Sequence, residues 1–105
     1  MDVSVRTRHG YVPTSLRQEA QERVRKLERF ELRPATAQLL FDQDSDGPRV
    51  ETRLSVTGGV DIVASAVAPT FRVALARSIR RIERQLKRQR ERYRNYSAPK
   101  VPSSS

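Results

Sequence analysis

Apolar residues recur at two different intervals along this chain, and the intervals mark its elements. Between Asp2 and Thr7, Val3 and Val5 alternate with Ser4 and Arg6, the period of a strand with one buried face. From Thr14 the interval lengthens. Leu16, Ala20, Val24, Leu27 and Phe30 form one stripe at helical spacing, which predicts an α-helix to about Glu31. Thr14 or Ser15 offers its N-cap, and Pro34 ends the region. Thr36 to Phe41 is rich in apolar residues and predicts a second strand, and Asp42 to Pro48 (DQDSDGP) reads as a turn. Alternation returns from Val50 to Val56, with Val50, Thr52, Leu54 and Val56 opposite Glu51, Arg53 and Ser55. Thr57, Gly58 and Gly59 predict a tight hairpin turn. Val60 to Val67 follows as a fourth strand, with Val60, Ile62, Ala64 and Ala66 on one side.

The longest element comes last. Pro69 and Thr70 open a helix predicted to about Arg94, striped by Phe71, Leu75, Ile79, Ile82, Leu86 and Tyr93. Ala74 and Ser78 add small groups to that stripe, which lets another element approach closely. The order is β-α-β-β-β-α. It predicts an α+β fold in which both helices cover one face of a four-stranded sheet. Residues 1–96 make one domain, and the Ser- and Pro-rich segment 97–105 is expected to be a disordered tail. There is no internal repeat.

Charge changes the picture from a fold to a partner. Lys and Arg number 21 against 12 Asp and Glu, a net charge of +9. Arg far outnumbers Lys, and the guanidinium fork binds phosphate in a bidentate way. The last helix carries most of the excess: Arg72, Arg77, Arg80, Arg81, Arg84, Lys87, Arg88, Arg90, Arg92 and Arg94, opposed only by Glu83 and Glu91. Such a helix repels itself unless something polyanionic lies against it. The first helix is mixed, with Glu19, Glu22 and Glu28 among Arg23, Arg25, Lys26 and Arg29. Candidate RNA-binding residues are Arg23 and Lys26 on the first helix and Arg77, Arg81, Arg84, Lys87, Arg88, Arg90 and Arg92 on the last. Phe30, Phe41, Phe71 and Tyr93 read as core residues, so backbone recognition is expected rather than base reading.

Catalytic and metal chemistry find little to build on. The chain has no cysteine and a single histidine, His9, so neither a thiolate metal site nor a Cys–His pair can be assembled. Asp42, Asp44, Asp46 and Gly47 match the opening of a calcium loop, but Arg53 stands where the bidentate Glu belongs. Gly58-Gly59 lacks the G-K-[ST] of a phosphate loop. Glu83 and Glu91 read as intrahelical partners of Arg80, Lys87 or Arg88. No enzyme and no cofactor are expected. The N-terminus lacks the apolar core of a signal peptide and no apolar run approaches a membrane span, which predicts a soluble cytoplasmic protein.

Several short segments, in order, resemble the bacterial ribosome hibernation-promoting factor family, which includes ribosome-associated inhibitor A. They are Arg8-His9, Leu16-Arg17, Lys26-Leu27-Glu28, Thr57-Gly58-Gly59, Ala64-Ser65-Ala66 and Ile82-Glu83-Arg84-Gln85-Leu86. The resemblance runs from about residue 2 to 94. It implies the same β-α-β-β-β-α fold, similar to a double-stranded-RNA-binding domain. It also implies a translation inhibitor bound to 16S rRNA and neighbouring proteins of the small ribosomal subunit, in the channel for messenger and transfer RNA. Arg23 and Lys26, and Arg81, Arg84, Arg88, Arg90 and Arg92, fall where the family places basic residues. The acidic-aromatic start of the family's second helix is replaced here by Ala68-Pro69-Thr70-Phe71-Arg72. By resemblance the chain is a short form without the family's C-terminal dimerisation domain, expected to be a monomer when free. Two alternatives remain open: a general double-stranded RNA or DNA module of similar fold, and a protein-interaction domain with an acidic partner.

Overall fold

A computed structural model describes residues 1–29, 34–56 and 59–97, with side chains to residue 92. The elements are β1 (Asp2–Thr7), α1 (Thr14–Arg25), β2 (Thr36–Asp44), β3 (Gly47–Val56), β4 (Val60–Val67) and α2 (Phe71–Ser97). A 3₁₀ turn over Lys26–Arg29 extends α1. This is the predicted order. The sheet runs β1-β2-β3-β4, with β1 parallel to β2 and the other pairs antiparallel. A parallel pair needs a crossover, and α1 supplies it.

Register turns the alternating residues into rows. Val3, Ala37, Leu54 and Ile62 lie across one face, followed by Val5, Leu39, Thr52 and Ala64, then Thr7, Phe41, Val50 and Ala66. Both helices cover this face, α1 against β1 and α2 across β3 and β4. From α1 the row meets Leu16, Ala20, Val24 and Leu27; from α2 it meets Ala74, Leu75, Ile79, Ile82 and Leu86, all buried. Phe71 packs against the cluster half-buried, its ring edge-on to Phe41 at 5.5 Å. Ser78 is wholly buried and brings α2 close to the sheet. Its hydroxyl donates to the Ala64 carbonyl at 3.1 Å and therefore accepts from Thr52, 2.8 Å away, so two buried hydroxyls satisfy each other.

Four boundaries differ from the sequence reading. The N-cap of α1 is Pro13, not Thr14 or Ser15: its carbonyl accepts from Leu16 and Arg17, and no side chain caps the helix. The regular helix gives way to the 3₁₀ turn at Lys26, and Phe30 lies outside the described residues. The Asp-rich turn is shorter than predicted, because β2 runs to Asp44 and β3 starts at Gly47. Cross-strand pairs Asp42–Arg49 and Asp44–Gly47 continue the ladder to the tip, where Asp44 accepts from the Asp46 N–H and Gly47 takes φ +112°. Lastly, α2 begins at Phe71, capped by Thr70, whose hydroxyl accepts from the Val73 N–H at 3.2 Å, and it extends past Arg94 to Ser97. Residues 57–58 of the predicted hairpin turn and 98–105 of the predicted tail lie outside the described residues.

Candidate nucleic-acid interface

Helical geometry sorts the basic residues of α2 onto three sides. One side meets the outer edge of β4, which has no strand beyond it and leaves alternate carbonyls unpaired. Arg77 donates to the Val67 carbonyl at 3.3 Å, Arg81 to Ser65, and Gln85 to Val63 at 2.9 Å. The match is geometric. Four helical residues rise about 6 Å, close to the span of two strand residues at about 6.6 Å. Two predicted RNA contacts, Arg77 and Arg81, are thus also clamps on the sheet edge. The edge of β1 is treated alike: Arg17 donates to the Val5 carbonyl at 2.9 Å and Arg25 to that of Met1 at 3.2 Å.

A second side faces α1. Here an open groove of about 680 Å³ is lined by Glu19, Glu22, Arg23, Lys26, Arg29, Arg72, Ile79 and Glu83. Arg23 pairs with Glu19 at 3.2 Å, one turn away, and Arg72 reaches Glu19 across the groove at 3.4 Å. Arg29 pairs with Glu83 at 3.1 Å. Glu83 therefore serves α1 rather than its own helix, which corrects the intrahelical reading. Lys26 lines the same groove exposed and has no ion pair among the described residues.

The third side is the outward back of α2 together with its border toward β4, where Arg88 and Arg92 line a groove with Val60, Asp61 and Ile62. Arg80, Arg84, Lys87, Arg88 and Arg92 are exposed, and among the described residues none has an ion pair or hydrogen bond. Arg90 differs, being half-buried with its Nε shielded from solvent and without an acceptor among the described residues. Arg84, Lys87, Arg88 and Arg92 were predicted as RNA-binding, and here they form one ridge.

A further cluster lies in the β1–α1 connector, at the other end of the molecule from the tip of α2. Asp42 is buried at the end of β2. One carboxylate oxygen accepts from Arg8 Nη2 at 2.5 Å and Nε at 3.2 Å, and the other pairs with His9 Nδ1 at 2.9 Å. These bonds, Arg8's first, hold the Asp42 carboxyl at about 2, below its usual 3.8, and the same pairing raises the Arg8 guanidinium. Asp44 and Asp46 turn instead to Arg49, at 3.3 and 3.9 Å. The three aspartates of the calcium-like segment are thus engaged by protein cations, Asp42 by Arg8 and His9 and the other two by Arg49.

The model of the sigma 54 modulation protein / S30EA ribosomal protein family matches residues 3–94. The chain belongs to this family. It is the family that the short segments resemble. Among solved structures, this S30EA chain is similar to a ribosomal subunit interface protein from Coxiella burnetii. That match has TM-score 0.79 and 13% identity, covering 87% of this chain and 99% of the other. The Protein Y N-terminal domain of Thermus thermophilus matches with TM-score 0.72 and 19% identity, over 84% of this chain and 98% of that one. At such identities these likenesses establish the fold. No curated protein sequence matches.

Two features of this S30EA chain escape a charge count. The edge clamps depend on register between α2 and β4, which no local pattern reports. Tyr11 is 80% exposed. Its signal was in the sequence: it stands off every apolar stripe, in a connector just before Pro13.

Proposed function

We propose that this protein binds the small ribosomal subunit and holds it idle by occupying the path of messenger and transfer RNA. The observation that carries the reading is the ridge of Arg80, Arg84, Lys87, Arg88 and Arg92, whose charges have no partner among the described residues. Unpaired exposed cations on one helix face repel each other in the free protein and are relieved by phosphates. Membership of the S30EA family and likeness to a ribosomal subunit interface protein make rRNA the polyanion of choice. The mechanism is occlusion without chemistry. Guanidinium groups seat on rRNA phosphates, the rigid sheet behind them fills space, and ligands of the channel are excluded. Lys26 extends the contact onto α1, and Arg23 joins it when phosphate displaces Glu19.

The deciding measurement is co-sedimentation with purified small subunits, with and without messenger and transfer RNA. Saturable binding at about one copy per subunit, displaced by those ligands, is expected. A variant carrying Arg84→Glu, Lys87→Glu and Arg88→Glu should lose that binding and keep its fold, since all three side chains are exposed and none has a hydrogen bond or ion pair among the described residues. Binding that persists in this variant, or that free duplex RNA competes away as well as intact subunits do, would overturn the reading in favour of a general duplex-binding module.

A further inference from the structure

We propose that the β1–α1 connector is a second RNA contact, in which Tyr11 stacks on an unpaired base while Arg8 and His9 hold the adjoining phosphate. From the preceding section it takes only that the ligand is RNA.

The connector is built to present one ring. Gly10 has φ +92°, and a Cβ there would lie 3.2 Å from both the Phe71 ring and the Gln43 amide oxygen, so the chain passes tightly over the core. Val12, on the other side, is buried. The backbone is therefore anchored before and after Tyr11 while its ring stays in water. With the backbone anchored, only the two side-chain torsions of Tyr11 need to be fixed on stacking, and every base offers a face to the ring.

The neighbouring cations are positioned as well. Arg8 commits Nε and Nη2 to Asp42 and leaves Nη1 uncommitted, and His9 commits Nδ1 and leaves Nε2. Both side chains are mostly exposed, at 62% and 68%. Beside them an open groove of about 530 Å³ runs onto the uncovered sheet face between Arg6, Gln38, Leu40, Glu51 and Arg53. That groove gives the strand room to continue. An apolar protein partner fits less well, because among the described residues the other exposed large apolar side chains, Val60 and Val73, belong to different elements, β4 and α2. Asp42 offsets the Arg8 charge, so stacking carries more of this contact than phosphate does.

The test is fluorescence anisotropy with a labelled heptauridylate and, separately, a twelve-base-pair RNA duplex. Tyr11→Ala should weaken single-strand binding by about five- to hundredfold, Tyr11→Phe should hold it within about twofold, and duplex binding should not change. The ring protons of Tyr11, one of three tyrosines, should move upfield as the single strand is added. An unchanged thermal midpoint for Tyr11→Ala is expected of a ring so exposed. Tyr11→Ala within twofold of the parent, or an equal loss for duplex and single strand, overturns the proposal. The readout is a ratio between two variants that share an intact α2, so it stands or falls separately from the ridge. Loss of subunit binding in the α2 variant together with a Phe-to-Ala ratio near one would sink the connector alone.

Discussion

At the scale of single residues, Asp42 shows how one buried carboxylate organises a loop. It anchors Arg8 and His9, so their bonds contribute to stability only while Asp42 is ionised. Its carboxyl sits at about 2 in the folded protein against 3.8 as an ordinary aspartate. A depressed folded value means the contribution is fully present above about pH 4 and is lost as pH falls toward 2. Asp42→Asn should therefore lower the thermal midpoint most at neutral pH, with the gap to the parent closing between pH 4 and 2. Circular dichroism melts across that range check it; a gap that stays constant would show that ionisation is not what matters. As a turn residue Asp42 was misread, since its partners lie more than thirty positions earlier in the chain.

At the scale of elements, the arginines of α2 look alike in a helical stripe yet perform different work. Arg81 closes the β4 edge, and Arg84, three positions on, meets only solvent. Arg81→Ala should cost about 0.5–1 kcal/mol through its lost hydrogen bond, a few degrees in Tm for a domain this size. Arg84→Ala should leave Tm unchanged. Removing Arg77, Arg81 and Gln85 together frees Val67, Ser65 and Val63 carbonyls along one edge, and an open edge pairs with other edges. That triple variant should self-associate with rising concentration in sedimentation velocity, whereas a monodisperse one would show that the clamp is not what guards the edge. Lysine could not serve equally, since the planar fork spans helix to strand and stays charged.

At the scale of the whole molecule, the net charge of +9 overstates what RNA can engage. Clamps and cross-helix ion pairs occupy Arg17, Arg25, Arg29, Arg72, Arg77 and Arg81. On the two helices, the exposed cations left without a partner among the described residues are Lys26, Arg80, Arg84, Lys87, Arg88 and Arg92. About six phosphate contacts predict a log–log salt slope of about −4 to −5 for subunit binding, and charge reversal at Arg84, Lys87 and Arg88 should flatten it by at least about 2. A much steeper slope would mean the clamping arginines let go of the sheet to bind. The sequence by itself determined the elements, their order and the covered face of the sheet, because two- and four-residue periods are local and survive in any partner's absence. Leu75, Ile79, Ile82 and Leu86 could be assigned to the core on spacing alone. Tertiary structure alone decided which cation is free. A guanidinium reaches several ångströms from its backbone, so its partner is set by the strand or helix packed beside it: Val67 for Arg77, Glu19 for Arg72, water for Arg84. That pairing is a property of register between elements distant in the chain, and periodicity does not encode it.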